Sequence, residues 1–321
     1  MTLVPRVTVV IPHHNGNRFL AEALRSVEQQ SWRDWEIVII DDGSVDDDRL
    51  AVRTFASDRI RVLEQTNQGP AAATQAGIDV ARGEYIAFLD QDDRWHPHKL
   101  ERDVGLLDTH QSVDITFCGY QMIDQCGRPL AAPRVPRSQR FDASELLEDF
   151  CIGPTTTVTM RASSARQAGP LDASFRRFYD FEYFIRIASR RSASVAASRE
   201  TLAWYRRHPG QLSSDVSQMR LEWQDVLRAM AARHHIDDRA VRIAQSNMHR
   251  YFAFLEYERG CFGAAHRMLV EAFRFAPARF IAERRNWLAA GATLTALMLP
   301  ASVRSVAEQF VIDHLSALVL L

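Results

Sequence analysis

Asp90, Asp92 and Asp93 place three carboxylates within four residues, directly after the apolar run Tyr85-Ile86-Ala87-Phe88-Leu89. Such a run reads as a buried strand, so the acids fall at a strand end. If the strand continued, Asp90 and Asp92 would point to one side. Oxygen donors at this spacing suit a hard divalent cation, Mg²⁺ or Mn²⁺, shared with a phosphate. The plain alternative is an acidic turn facing water. A lone D-x-D is common, and on the motif alone the two readings weigh evenly. A strand's carboxyl end is where open α/β sheets bind ligands, so the surrounding elements decide.

Those elements are legible upstream. Val7-Thr8-Val9-Val10-Ile11 is a β-branched run that reads as a strand buried on both faces, ended by Pro12-His13-His14-Asn15-Gly16-Asn17. Phe19, Leu20, Ala23, Leu24 and Val27 follow helical spacing. Trp35 to Ile40 predicts a second strand closed by Asp41-Asp42-Gly43-Ser44, and Ile60 to Glu64 a third leading to Asn67-Gln68-Gly69-Pro70. An Ala-rich helix over Ala71 to Ala81 precedes the Asp90 strand. Strands alternating with helices imply βαβ units and a mostly parallel sheet. Further on, Val113–Tyr120, Pro154–Met160, Ser194–Ala197 and Leu202–Tyr205 read as strands, Asp180–Ser189 as a helix, and the basic, Pro-containing Arg134–Arg140 as a loop near the site.

From about Gln218 the pattern is helical throughout. Tyr251 to Pro277, broken at Arg259-Gly260-Cys261, resembles one tetratricopeptide-like hairpin, a helical appendage and not an array. Trp287 to Leu299 is apolar; a buried helix is favoured over a membrane-interface helix. The 321 residues suffice for one large domain plus an appendage, or for two domains, here set at 1–215 and 216–321. A net charge of −1 gives no global field for nucleic acid. Cys118, Cys126, Cys151 and Cys261 form no CxxC pair, which fits a reducing cytosol with no zinc site or disulfide framework. No charged-then-apolar leader opens the chain, and no apolar run reaches the ~18 residues of a membrane span. A cytoplasmic protein is expected, docked on the inner face of a membrane if the appendage binds lipid.

Val9-Val10-Ile11-Pro12 with Asn15, Gln29-Gln30-Ser31-Trp32, Glu36 to Ser44, Asn67-Gln68-Gly69, and Gly83 to Asp93 together resemble, in order and spacing, the family 2 glycosyltransferases of GT-A fold. The resemblance spans roughly the first 215 residues. It implies an α/β, Rossmann-like central sheet flanked by helices. It also implies an inverting, cation-assisted transfer of sugar from a nucleoside-diphosphate sugar to a glycan or lipid-linked acceptor. By the same analogy Asp42 meets uracil or ribose, and Pro12, His14 and Asn15 line the base pocket with Gly69 and Gln91. His14 stands where relatives carry an aromatic, so base stacking remains available. Asp92 is the first choice of metal ligand, Asp90 serves ribose or metal, and His208, before Pro209, is either a ligand or a loop residue.

An inverting displacement needs a base beside the incoming hydroxyl. Asp180 falls on the family's Asp in that slot, Tyr179 replaces its Glu, and Glu182 is the reserve; helix capping is the plain reading of Asp180. Arg206 or Arg207 is offered to phosphate, Trp95 to an acceptor wall, and Gln75 stands where relatives carry Asn. Two other classes compete. A nucleotidyltransferase would show a Gly-rich phosphate loop after the first strand, which Pro12–Arg18 lacks. A non-catalytic sugar-nucleotide binder is disfavoured by the intact Asp42, Asp90, Asp92 and Asp180.

Overall fold

In a computed structural model, which describes residues 4–149, 151–233 and 236–298, the chain divides into two units. The first holds residues up to 143 and 151–212; the second holds 144–150 and the chain from 213 onward. Leu299, the end of the apolar stretch, and the rest of the appendage to 321 lie outside the described residues.

The first unit begins with β1 (Val7–His13), α1 (Asn17–Glu28), β2 (Trp35–Asp42), α2 (Asp46–Arg53), β3 (Ile60–Gln65), α3 (Pro70–Val80) and β4 (Tyr85–Phe88). The short β5 (Arg94–Trp95), α4 (Lys99–Thr109), β6 (Ile115–Ile123) and β7 (Arg140–Phe141) follow. After α5 (Ala143–Asp149), which falls almost wholly in the second unit, come β8 (Val158–Arg161), α6 (Ala162–Ala168), α7 (Tyr179–Ala188) and β9 (Val195–Arg206). Among the described residues one mixed sheet runs β3-β2-β1-β4-β8-β6-β9-β5, with β7 also paired to β9. The half from β3 to β4 is parallel. Beyond it β8 runs antiparallel to both β4 and β6.

β1 and β2 are buried on both faces because helices cover both. Ile37 and Ile39 face the layer formed with Leu20, Leu24, Leu100 and Val104, while Val38 and Ile40 face Ala73, Ala76 and Val80 of α3. The Ala-rich sequence of α3 is a consequence of this close packing. A Cβ on Gly77 would lie 2.3 Å from Val10 Cγ1. The chain builds β3, β2 and β1 to one side, then crosses to β4 on the other side of β1. That reversal opens a crevice at the carboxyl ends of β1 and β4.

Three local readings differ from the structure. The run Pro154–Met160 is a tight 3-10 turn at Thr155–Thr157 before β8. The two short strands at 194–205 are one strand, β9, whose exposed Arg199-Glu200 lies where its register with β6 shifts at Cys118–Gly119. The strand before the acids stops at Phe88, and a turn with the Asp93 N–H donating to the Asp90 carbonyl at 3.1 Å takes over.

The second unit carries α8 (Val216–Arg233), α9 (Asp238–Glu258), α10 (Phe262–Phe275), α11 (Pro277–Ala282) and α12 (Arg284–Met298). Two residues past α9, Gly260 sits at φ +72°, with the Cys261 N–H donating to Glu256 O at 2.8 Å; this left-handed stop is why the hairpin breaks there. α12 is not buried all round as expected. Ala289, Thr293 and Ala296 face inward, but Trp287, Leu288, Leu294, Leu297 and Met298 are exposed.

Candidate active site

The loop after β1 is held by side chains from two other strand ends. The Gln91 amide clips the His14 backbone from both sides: Oε1 accepts from its N–H at 3.0 Å and Nε2 donates to its carbonyl at 3.3 Å. His14 Nδ1 donates to the Asp42 carbonyl at 3.0 Å, which leaves Nε2 to accept from the Asn15 amide at 3.0 Å. Asn15 sits at φ +50°, a left-handed position that Asn tolerates. Its N–H donates to Ser44 Oγ at 3.0 Å, and its Oδ1 accepts from Val45 N–H at 2.9 Å. Asp42 is buried and its carboxylate is engaged within the protein. Oδ1 accepts from Gln65 Nε2 and the Gln68 N–H, and Oδ2 from the Gly69 N–H, each at 2.8 Å. Asp42 thus fixes the 67–69 loop against the β1 loop. Pro12 is paired in β1, one residue below this rim.

The acid turn lies across the crevice. Asp92 Oδ2 faces His208 Nε2 at 2.8 Å, with the Gln211 amide 3.5 Å from the same oxygen. Asp90 keeps some exposed surface, yet burial, then Asp92, then Asp180 push its carboxyl up to about 8. Asp93 is fully buried and raised well above the usual range by burial and by Asp92 and Asp90, although the Arg206 N–H donates to it at 2.8 Å. Among the described residues no group of three or more His, Cys, Asp or Glu side chains forms a complete metal site. The pair present still fits Mg²⁺ or Mn²⁺. One carboxylate oxygen and one imidazole nitrogen converge from two segments within a cluster of mutually repelling acids. Such cations commonly take one or two protein ligands and fill the rest with phosphate and water.

Asp180 lies at the second position of α7, and Phe178, not Asp180, occupies the cap position. Thr155 Oγ1 donates to Asp180 Oδ2, and the Phe181 N–H donates to Oδ1 at 2.8 Å. Tyr179 is buried, its hydroxyl 3.4 Å from Thr74 Oγ1. Burial raises its phenol well above the usual range, so it stays neutral. Two readings from the sequence fail here, and Arg206 drops out of the pair Arg206 or Arg207. Glu182 is fully buried and paired with Arg186 at 2.8 Å, so it cannot serve as reserve base. Trp95 is no acceptor wall; it is 2 % exposed, with Nε1 donating to the Thr156 carbonyl at 2.8 Å. Arg206 is 1 % exposed and bonded to protein groups, out of reach of a phosphate. Gln75 turns to Asp79 and to the Leu171 N–H.

The sequence profile described as Glycosyl transferase family 2 matches residues 8–166, from β1 to α6. The chain belongs to glycosyltransferase family 2. An uncharacterized glycosyltransferase of Nostoc sp. is 34% identical over 215 residues, which is 63% of this chain and 65% of that protein, just under two thirds of its length. The Bacillus subtilis protein named, provisionally, as the teichuronic acid biosynthesis glycosyltransferase TuaG is 29% identical over 66% of this chain and 82% of its own length. The crystal structure of S. aureus TarS 1-349 in complex with UDP covers 97% of this chain and 88% of that one, with a TM-score of 0.60 at 15% identity. At that identity the likeness shows the GT-A fold.

Within the family 2 chain, Asp180 and His208 lie beyond the matched span, which makes their geometry the argument for them. Several supporting residues were missed. Thr155 sat inside a Thr run read as strand. Gln211 is only three residues past His208. Glu22 was visible as an acid inside the otherwise apolar spacing of α1.

Proposed function

We propose that this glycosyltransferase moves a sugar from a nucleoside-diphosphate sugar, with UDP as the favoured nucleotide, to an acceptor hydroxyl with inversion. The acceptor class is a glycan or a lipid-linked glycan of surface polysaccharide synthesis. The observation that carries the reading is that the Asp42-fixed loops, the Asp90–Asp93 turn and Asp180 meet at one crevice, close enough for Asp92 and Asp180 to perturb Asp90. The base and ribose sit among Pro12, His14, Asn15, Asp42 and Gly69, with Gln91 bracing the loop and Asp90 toward ribose. Asp92 and His208 hold Mn²⁺ or Mg²⁺, with Asp90 in reserve as a ligand. When bound, the cation offsets the charge gathering on the departing diphosphate.

Asp180 accepts the proton of the acceptor hydroxyl as that oxygen bonds to the anomeric carbon. The bond from that carbon to the diphosphate breaks on the opposite face, which inverts the centre. Thr155 fixes the carboxylate's rotamer for this task. Asp180→Asn should lower turnover by about 10²–10⁴ while UDP affinity changes little. Transfer assays and UDP calorimetry on Asp180→Asn and Glu182→Gln decide the matter; near-normal turnover in Asp180→Asn overturns the assignment. The name of TuaG and the UDP complex of TarS support the substrate class. The exposed apolar face of α12 supports a peripheral membrane position. No helix among the described residues is long and apolar enough to cross a membrane.

A further inference from the structure

The acid turn and His208 do not hold themselves in place. Arg206, the last residue of β9, is buried between them. Its Nε donates to the Asp92 carbonyl at 2.7 Å, its backbone N–H to Asp93 Oδ1 at 2.8 Å, and its Nη1 to the carbonyls of Asp124 and Gln125, each at 3.3 Å. Nη2 meets Glu22 Oε2 at 2.7 Å. Glu22 belongs to α1, and its other oxygen accepts from Arg94 Nη1 at 2.6 Å, just beyond the acid turn. One helical turn earlier, Phe19 lies under the Arg206 guanidinium at 4.6 Å and against the His208 ring at 5.4 Å. Positions 19 and 22 share one face of α1. One helix face therefore supports the backbone of one proposed ligand and the ring of the other.

We infer that Glu22, acting through Arg206, is a positioning residue that sets the approach of Asp92 and His208 to the cation. This rests on the metal role proposed above. A guanidinium fixed by one carboxylate and three carbonyls has little rotational freedom, and a planar fork loses little entropy in such a setting. Removing the Glu22 charge leaves the buried Arg206 guanidinium without the one carboxylate it bonds among these contacts. The Asp92 carbonyl then loses a fixed donor, and the Asp92–His208 spacing loosens. Partners that orient metal ligands in this way typically contribute about 10–100-fold in metal affinity.

The test uses the whole chain with Mn²⁺ and UDP as probes. UDP affinity is measured by calorimetry with Mn²⁺ and with chelator, for wild type, Glu22→Gln, Arg206→Lys and Arg94→Gln. Glu22→Gln should lose about 10–100-fold of the Mn²⁺-dependent affinity and keep the chelator value within about twofold. Arg94→Gln, which leaves the Glu22–Arg206 bond intact, should keep both. A purely structural role would weaken both arms together, so equal losses in Glu22→Gln overturn the inference, as does an unchanged Mn²⁺ effect. If Arg206→Lys fails to fold, Glu22→Gln still decides, since Glu22 is partly exposed and the substitution keeps its shape. A wild type whose UDP affinity ignores Mn²⁺ overturns the metal role itself, and this inference with it. That outcome differs from the others because it is read before any variant.

Discussion

Lys99 and Asp103 stand one turn apart in α4, fully buried, with Nζ and Oδ2 2.5 Å apart. Thr159 Oγ1 of β8 donates to the same carboxylate oxygen at 2.7 Å and accepts from Lys99 at 3.2 Å. Among the described residues Asp103 Oδ1 has no hydrogen-bond partner, and the ammonium lies 4.5 Å from the centre of the Trp95 ring. Lys99→Met keeps the volume and removes the charge. Asp103 is then a buried carboxylate with one hydroxyl donor. Breaking a buried pair in this way costs about 3–5 kcal/mol, because the survivor's desolvation is no longer offset. In a unit of about 200 residues, at about 2–4 °C per kcal/mol, the melting temperature should fall by about 6–20 °C. Replacing both, Lys99→Met with Asp103→Leu, should recover most of that loss, since an apolar pair of similar volume is often neutral or stabilising. Urea and thermal unfolding of wild type, the single and the double variant measure this. A single variant within about 1 kcal/mol of wild type, or a double variant as unstable as the single, would refute the reasoning.

Two further outcomes follow from the acid turn and from α12. The Asp90 carboxyl, ordinarily near 3.8, stands near 8 in the folded chain, so the folded state binds the extra proton between those values. Metal-free stability should therefore fall as pH rises from about 4 to about 8, and Asp90→Asn should flatten that part of the curve in urea titrations; an unchanged slope argues against it. In vesicle flotation the chain should bind anionic liposomes through Trp287 and Leu294, and Trp287→Ser with Leu294→Ser should weaken binding at least about tenfold. Absence of binding by the wild type removes the membrane position.

The strands carrying the site could be read because β1, β2 and β4 are buried on both faces and leave unbroken apolar runs that stop at polar clusters. The positions of Asp42, Asp92 and Asp180 followed from those stops and from the family's register. What surrounds them could not be read so well. Trp95 has the composition of a binding wall, and only tertiary packing under the 155–157 turn makes it core. Arg206 looks like a phosphate ligand in one dimension; its Glu22 partner is 184 residues away. Strand β9 was split by Arg199-Glu200, since two exposed polar residues interrupt the alternation without ending the strand. Pairings this distant leave no local pattern to detect.

The single helix that leaves the first unit and belongs to the second has a consequence for synthesis. Leu146 and Leu147 of α5 are buried, and the Glu148 carbonyl accepts from Asn247 Nδ2 at 2.6 Å across 99 residues of chain. A ribosome adding about 5–20 residues per second makes α5 about 5–20 s before that part of α9 exists. During that interval Leu146 and Leu147 of α5 wait without α9 while β8, α6, α7 and β9 are still being added. A nascent chain cut off near residue 212 would keep α5 without the helices it packs among, so the second unit cannot be removed as a simple tail. The interval is when a chaperone or a premature partner would find the chain most open to capture.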